Sequence, residues 1–109
     1  DARNWLSHID PLSYPGQAVA VALYEIAGIR SCEIGTVMFG RHPDGTESPA
    51  AMDLVRLAIP RRTYTQSHAD YIIEAFEELC EIRSSLTGYR ISWEPSLMRH
   101  FTCKFAPLA

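Results

Sequence analysis

The stretch QSHADYIIEAFEELCEIRSSL at 66–86 decides the fold. Its apolar side chains recur every three or four residues, and acidic ones occupy the other side. The apolar set is Ala69, Ile72, Ile73, Phe76, Leu79, Cys80 and Leu86, and the acidic set is Asp70, Glu74, Glu77, Glu78 and Glu81. The spacing predicts an amphipathic helix capped by Thr65 or Thr63 and stopped by Gly88. The acidic side is open to two interpretations, a docking face or a solvated surface, and the second is favoured because carboxylates are seldom buried.

A second helix is predicted upstream. The run QAVAVALYEIA at 17–27 is rich in Ala, Val and Leu and contains few helix breakers. Ser13 is a possible N-cap, Pro15 suits the first turn, and Gly28 suits the position just past a helix end. We therefore expect a helix over 15–27 that is buried on most sides.

Short apolar and β-branched stretches predict four strands, at 29–39, 53–59, 89–93 and 98–105. Between the first two, Pro43-Asp44-Gly45 favours a turn, because Pro presets φ, Asp bonds its own backbone and Gly accepts a positive φ. These two strands are expected to form an antiparallel pair. The order α, β, β, α, β, β indicates an α+β class, with helices layered on a mostly antiparallel sheet.

Length and composition narrow the class of protein. The chain has 109 residues, 47% of them hydrophobic, which suits one domain, and its net charge of −3 argues against a dedicated nucleic-acid binder. No apolar run approaches the roughly 20 residues that span a bilayer, and the start lacks the pattern of a secretory signal. Because the chain does not begin with Met, we expect it to lie inside a longer reading frame. Three distant cysteines (Cys32, Cys80 and Cys103) suggest reduced thiols in a cytoplasmic protein.

Metal binding and phosphate binding are both disfavoured by spacing. The His and Cys residues are mostly far apart in the sequence, unlike the two close pairs of ligands in most zinc sites. The glycines at 35 and 40 flank TVMF, which has neither a GxGxxG pattern nor a Walker lysine.

Arg56 is the most informative charged residue. Alternation in its strand predicts three apolar side chains on the opposite face, namely Val55, Leu57 and Ile59. Arg56 itself falls between Leu54 and Ala58, where an unpaired buried charge would be costly. Either it binds a ligand carboxylate through its two-pronged guanidinium, or it pairs internally with Glu33 of the neighbouring strand. Residue chemistry alone slightly favours the ion pair.

His100 presents a similar choice. As part of a strand over 98–105 it would share a face with Met98, Thr102 and Lys104. A half-buried structural histidine is the default for such a position, and a substrate contact needs further support.

Three stretches, in order, resemble the C-terminal part of the β-eliminating lyases, the family of tryptophanases and tyrosine phenol-lyases. They are AGIRSCEIGTVMFGRHPDGT at 27–46, LVRLAIPRRTYTQSHADYIIEAF at 54–76 and WEPSLMRHFTCKF at 93–105. The resemblance is collinear from about Tyr14 to Phe105. It implies that residues 1–109 are a single small C-terminal domain of an enzyme with the aspartate-aminotransferase-like fold (fold type I), whose large cofactor-binding domain lies outside this chain.

The resemblance also implies a chemistry. These enzymes use pyridoxal 5'-phosphate as the electron sink when they degrade an aromatic amino acid to the free aromatic, pyruvate and ammonium. They also use a monovalent cation, usually K⁺, and assemble as homotetramers in the cytoplasm. The Schiff-base lysine is expected upstream, since the only lysine here, Lys104, is in no cofactor motif. We therefore expect this piece alone to bind no cofactor and to be inactive.

Four positions take roles from the resemblance. Arg56 falls on the family's arginine for the substrate α-carboxylate, which reverses the preference for an ion pair. His100 falls where tryptophanases carry His and tyrosine phenol-lyases Phe. Ile34 falls where tryptophanases carry Ile and tyrosine phenol-lyases an arginine for the phenol oxygen. Phe101 lies beside the aromatic pocket in the family pattern, although a packing role fits equally well.

Ile34 and His100 thus favour tryptophan over tyrosine as substrate. Two other hypotheses stay open. One is a tyrosine phenol-lyase or a lyase of another β-substituted amino acid. The other is a stand-alone, non-catalytic domain for binding or assembly.

Overall fold

A computed structural model describes residues 1–58, 65–95 and 99–108, excluding the side chains of His100 and Phe101. The helices are α1 (Ala2–Trp5), α2 (Pro15–Ala27), α3 (Thr36–Phe39), α4 (Gln66–Ile82) and α5 (Arg99–Thr102). The strands are β1 (Cys32–Ile34), β2 (Leu54–Arg56), β3 (Tyr89–Trp93) and β4 (Lys104–Pro107). Single 3₁₀ turns cover Pro11–Ser13 and Arg83–Ser85.

Helix α2 is the centre of the core and occupies the range predicted for it. Gly28 ends it with φ of 67°, and the Gly28 N–H donates to the Tyr24 carbonyl over 2.8 Å. The expected cap at Ser13 is wrong, because that residue closes a 3₁₀ turn and Tyr14 takes the N-cap position instead. Helices α1, α2 and α4 and the segment after α1 bury one apolar cluster: Ala2, Leu6, Ile9, Ala18, Val19, Ala22, Leu23, Ala75 and Leu79.

Helix α4 confirms the amphipathic prediction but packs through a narrower stripe. Thr65 is its N-cap, and the Thr65 N–H donates to His68 Nδ1 over 3.0 Å. Ala75 and Leu79 are buried, whereas Ile73 is 55% exposed and Cys80 is exposed. The five acidic side chains are all exposed, as a solvated face requires. The other cap considered, Thr63, lies outside the described residues.

The strand predicted over 29–39 is only partly right. It is β1 followed by α3, because the apolar run TVMF suits either a strand or a helical turn and its surroundings decide. The downstream strand, predicted over 53–59, is β2, and the two pair antiparallel as expected. The connecting turn is also confirmed: the Gly45 N–H donates to the His42 carbonyl over 3.0 Å, and Gly45 has φ of 88°.

The C-terminal strands form a second ribbon. Strand β3 matches its prediction, but the strand expected over 98–105 is wrong: residues 99–102 form α5 and β4 begins at Lys104. In the described part of the chain the strands make two separate two-stranded antiparallel ribbons, β1–β2 and β3–β4, rather than one mostly antiparallel sheet. The class is α+β with small antiparallel sheets, as predicted.

Candidate functional site

Two of the predicted site residues lie on one face of the β1–β2 ribbon. The register sets Cys32 opposite Arg56 and Ile34 opposite Leu54. Directly opposed residues of an antiparallel pair project to the same side. Ile34, Leu54 and Arg56 therefore share a face, with Leu54 and Arg56 exposed and Ile34 half-buried. This face combines an apolar surface with a single cation.

The Arg56 guanidinium is exposed and has no hydrogen-bond or ion-pair partner in the described part of the chain. The alternation predicted for its strand is confirmed at Val55 and Leu57, which are half-buried. Ile59 lies outside the described residues. An internal ion pair with Glu33 is wrong, because Glu33 lies opposite Val55 and points to the other side of the ribbon. Arg56 keeps all of its N–H donors available to an external acceptor such as a carboxylate.

His100 and Phe101 lie on α5 rather than on a strand. The strand face that His100 was expected to share with Thr102 and Lys104 is therefore wrong, since side chains on a helix do not alternate with period two. Met98, the other residue expected on that face, lies outside the described residues. The side chains of His100 and Phe101 are outside the described residues. The backbone of α5 packs against α3, the helix that follows Ile34. Helix α5, which carries His100, therefore lies beside α3, the helix that follows Ile34.

Arg99 joins these two elements, and sequence reasoning missed it. Its guanidinium is buried and donates from Nε to the Val37 carbonyl over 2.7 Å and from Nη2 to the Thr36 carbonyl over 2.8 Å. Nη1 donates to Glu94 Oε2 over 3.0 Å, and Nη2 pairs with Glu47. These two bonds reach the carbonyls of the first two α3 residues, and the Thr36 carbonyl also accepts the Gly40 N–H over 2.8 Å. Arg99 therefore stabilises α3 and anchors α5 to it.

The network around Arg99 reaches the start of α2. The Tyr14 hydroxyl donates to Glu47 Oε1 over 2.8 Å, and burial together with this bond raises the pKa of Tyr14. Tyr14 has φ of 55°, which is rare for a bulky residue and persists only where its surroundings fix it. The sequence signal for Arg99 was an arginine beside apolar residues, the same kind of signal that singled out Arg56.

A second buried polar centre lies behind the β1–β2 ribbon. Glu33 is 6% exposed and Asp53 is fully buried, and their carboxyl groups are within hydrogen-bonding reach of each other. Asp53 Oδ2 accepts from the Gly16 N–H in the first turn of α2 over 2.9 Å. Burial, and then Asp53, raise the pKa of Glu33 to about 9. Its burial beside Asp53 therefore favours the protonated form of Glu33.

Gly35 makes room for these two acids. A Cβ atom at Gly35 would overlap Asp53 Oδ1 and would lie 2.6 Å from Glu33 Oε1. The chain passes so close to the carboxyl groups that only glycine fits without displacing them. Sequence analysis considered Glu33 only as a partner for Arg56 and did not single out Asp53. Single acids in the apolar runs CEIG and MDLV were the available signal.

The donor groups that a metal ion or pyridoxal phosphate would need can be checked among the described residues. No three His, Cys, Asp or Glu side chains among them group as metal ligands. Pyridoxal phosphate needs a lysine for its Schiff base, but Lys104 is exposed on the β3–β4 ribbon, opposite Trp93. The residues present therefore do not fit this cofactor. Among the described helices, none combines the length and apolar character needed to cross a bilayer.

Comparison with known proteins gives a consistent result. No family model matches the chain. It is 78% identical to the tryptophanase of Rhodobacter capsulatus and 64% identical to that of Hyphomonas neptunium, over 99% of this chain in both cases. It is 59% identical to the tryptophanase of Salinibacter ruber over its whole length.

These matches involve only part of each relative. The chain spans about a quarter of the length of the curated relatives: 24%, 24% and 23% respectively. The matched part is the C-terminal one. By sequence, the chain therefore matches the C-terminal part of these tryptophanases.

Proposed function

We propose that this chain is the small C-terminal domain of a pyridoxal-phosphate-dependent β-eliminating lyase that cleaves L-tryptophan to indole, pyruvate and ammonium. Its task is to supply substrate contacts. The supporting observation is the shared face of the β1–β2 ribbon, where the partnerless Arg56 lies on the same side as Ile34 and Leu54. An amino acid with an aromatic side chain needs both a cation and an apolar wall.

Arg56 would bind the substrate α-carboxylate. Its planar guanidinium offers two parallel N–H donors to a carboxylate, and such charge-assisted pairs are the stronger class of hydrogen bond. Because no described residue competes for these donors, the substrate would not have to displace an internal partner. Arg56 would thereby hold the substrate by its α-carboxylate while other bonds of the substrate react.

Ile34, with His100 and Phe101, would line the side-chain pocket. Ile34 offers a hydrocarbon surface to indole and no donor to a phenol oxygen. A buried phenolic oxygen without its partner costs free energy, so this wall disfavours tyrosine. Support for His100 and Phe101 comes from the resemblance to the lyases and from the packing of their helix against α3.

The remaining parts of the proposed enzyme lie beyond this chain. Pyridoxal phosphate and K⁺ would be held by a large domain of the same polypeptide. The full-length protein would be a cytoplasmic homotetramer, and this piece alone would be inactive.

The test is product analysis on the full-length protein, supplied with pyridoxal phosphate and K⁺. Tryptophan and tyrosine are given separately, and indole, phenol and pyruvate are quantified. We expect indole and pyruvate with little phenol.

Two other outcomes would contradict this proposal. Phenol as the main product would assign a tyrosine phenol-lyase and would show that Ile34 and His100 do not set specificity. No product from either amino acid would favour a non-catalytic domain for binding or assembly.

A further inference from the structure

Glu33 and Asp53, the two buried acids behind the ribbon, have more hydrogen-bond acceptors than donors near them. The proposed substrate contacts do not explain this. Both Glu33 side-chain oxygens and Asp53 Oδ1 are buried, and none has a hydrogen-bond donor of ordinary geometry in the described part of the chain. Leaving a buried acceptor unsatisfied lowers stability, and the cost is greater for a charged group. Two adjacent buried carboxylates would also repel each other strongly.

A single shared proton removes the charge repulsion and gives a hydrogen-bond partner to two of the three unsatisfied oxygens. Protonated Glu33 is a donor, and Asp53, which is within hydrogen-bonding reach, is the acceptor. The structure indicates which acid keeps the charge. Asp53 already accepts the Gly16 N–H at the N-terminal end of α2, a helix of 13 residues, where the helix dipole favours an anion.

The pair is fixed to the strands that carry the proposed substrate contacts. Glu33 is the middle residue of β1 and directly precedes Ile34. Asp53 directly precedes β2, which ends at Arg56. A bond between the two acids therefore joins the strands on the face opposite Ile34 and Arg56, in a ribbon only three residue pairs long.

We propose that Glu33 and Asp53 are a positioning pair: a carboxylic acid and a carboxylate that share one proton and hold Ile34 and Arg56 in register for the substrate. This inference rests on the proposed function. Loss of the proton leaves two anions in contact, and their repulsion pushes β1 and β2 apart. Substrate binding then weakens before the chemical step is affected.

The other titratable groups facing the pair do not replace this proton. The carboxylate of Asp1 accepts the Asp53 backbone N–H over 3.1 Å and is itself paired with Arg3. Cys103, which follows α5, is half-buried, and burial raises the pKa of its thiol. The Asp1 carboxylate is therefore already paired, and the raised pKa of Cys103 favours its neutral thiol.

The first test is infrared spectroscopy of the full-length protein loaded with pyridoxal phosphate, in H₂O and D₂O. A protonated carboxyl group has a C=O band that is separate from carboxylate bands and shifts on deuteration. We expect such a band at neutral pH, lost on titration to alkaline pH, absent from Glu33→Gln and retained in Glu78→Gln, an exposed control on α4. No band, or a band that persists in Glu33→Gln, would overturn the shared proton.

The second test is the pH course of KM for tryptophan. Glutamine at 33 keeps a donor toward Asp53 and cannot ionise. We therefore expect the ratio of the wild-type KM to the Glu33→Gln KM to rise about fivefold into the alkaline range, with a smaller change in kcat. A constant ratio, or a Glu33→Gln protein that fails to fold, would overturn the positioning role. The infrared result does not depend on lyase activity, so absence of indole would count against the proposed function and not against the shared proton.

Discussion

Two arginines of this chain, Arg99 and Arg56, occupy opposite kinds of environment. Arg99 is buried, and its guanidinium donates to two carbonyls and two carboxylates. Arg56 is exposed at the end of β2 and has no partner among the described residues. A fully partnered buried cation contributes to the fold, because its removal strands the groups that it satisfied. A partnerless cation on an apolar face contributes little to the fold and is free to bind a ligand.

The largest effect is expected from removing Arg99, the buried arginine with partners for its N–H groups. Arg99→Ala leaves Glu47 and Glu94 without their buried counter-charge and removes one donor each from the Thr36 and Val37 carbonyls of α3. It should lower the free energy of unfolding by about 3–5 kcal/mol, measured as a large drop in the Tm of the full-length protein. Arg41→Ala is the matched control, since Arg41 pairs with Glu94 at a more exposed position. That variant should change stability by about 1 kcal/mol or less, and equal losses in both variants would contradict this role for Arg99.

The partnerless arginine should show the reverse behaviour. In the full-length enzyme, Arg56→Ala should lower kcat/KM for tryptophan about a hundredfold, or by about 3 kcal/mol of transition-state binding, because the α-carboxylate loses its cation. Its Tm should stay at the wild-type value. Arg90→Ala, which removes an exposed arginine from β3, should leave both quantities unchanged. Unchanged kinetics in Arg56→Ala would remove Arg56 from the site.

Glu33 and Asp53 differ from both arginines, because this buried pair of acids is stable only when it shares a proton. The raised pKa of Glu33, about 9 against an ordinary 4.5, means that the folded protein holds a proton that the unfolded chain releases between those values. The contribution of Glu33 to stability is therefore fully present below the lower value, is lost as pH rises between the two values, and levels off above the higher one. Glu33→Gln should abolish this part of the slope in Tm against pH. Parallel slopes in wild type and variant would show that Glu33 ionises normally.

The smallest effect is expected from a substitution on α5, the helix that Arg99 anchors to α3. His100→Phe should reduce turnover of tryptophan about tenfold more than turnover of a small β-substituted amino acid such as a cysteine thioether. The reason is that a pocket contact acts only on a substrate large enough to reach it. The measurement is kcat/KM for both substrates in the full-length enzyme. Equal losses on both would mean that His100 is structural.

Sequence patterns were most reliable where a single local cause controlled the structure. Pro15 and Gly28 bracketed α2 correctly, and the apolar spacing of α4 identified its buried side. They were least reliable for the short runs TVMF at 36–39 and RHFT at 99–102. In both places a helical turn stands where a strand was expected, and Arg99 connects the two turns, α3 and α5. Such a long-range contact leaves no trace in local periodicity.

The sequence by itself determined the two long helices, the antiparallel pairing of β1 with β2 and the presence of Arg56 opposite an apolar face. Each of these follows from spacing within one segment or between neighbouring segments. Only the tertiary structure decided that Ile34 and Arg56 share a face, that Glu33 points away from Arg56, and that Asp53 lies against it. The physical reason is that strand register and the burial of charge depend on residues far apart in the chain, which become neighbours only when the core closes.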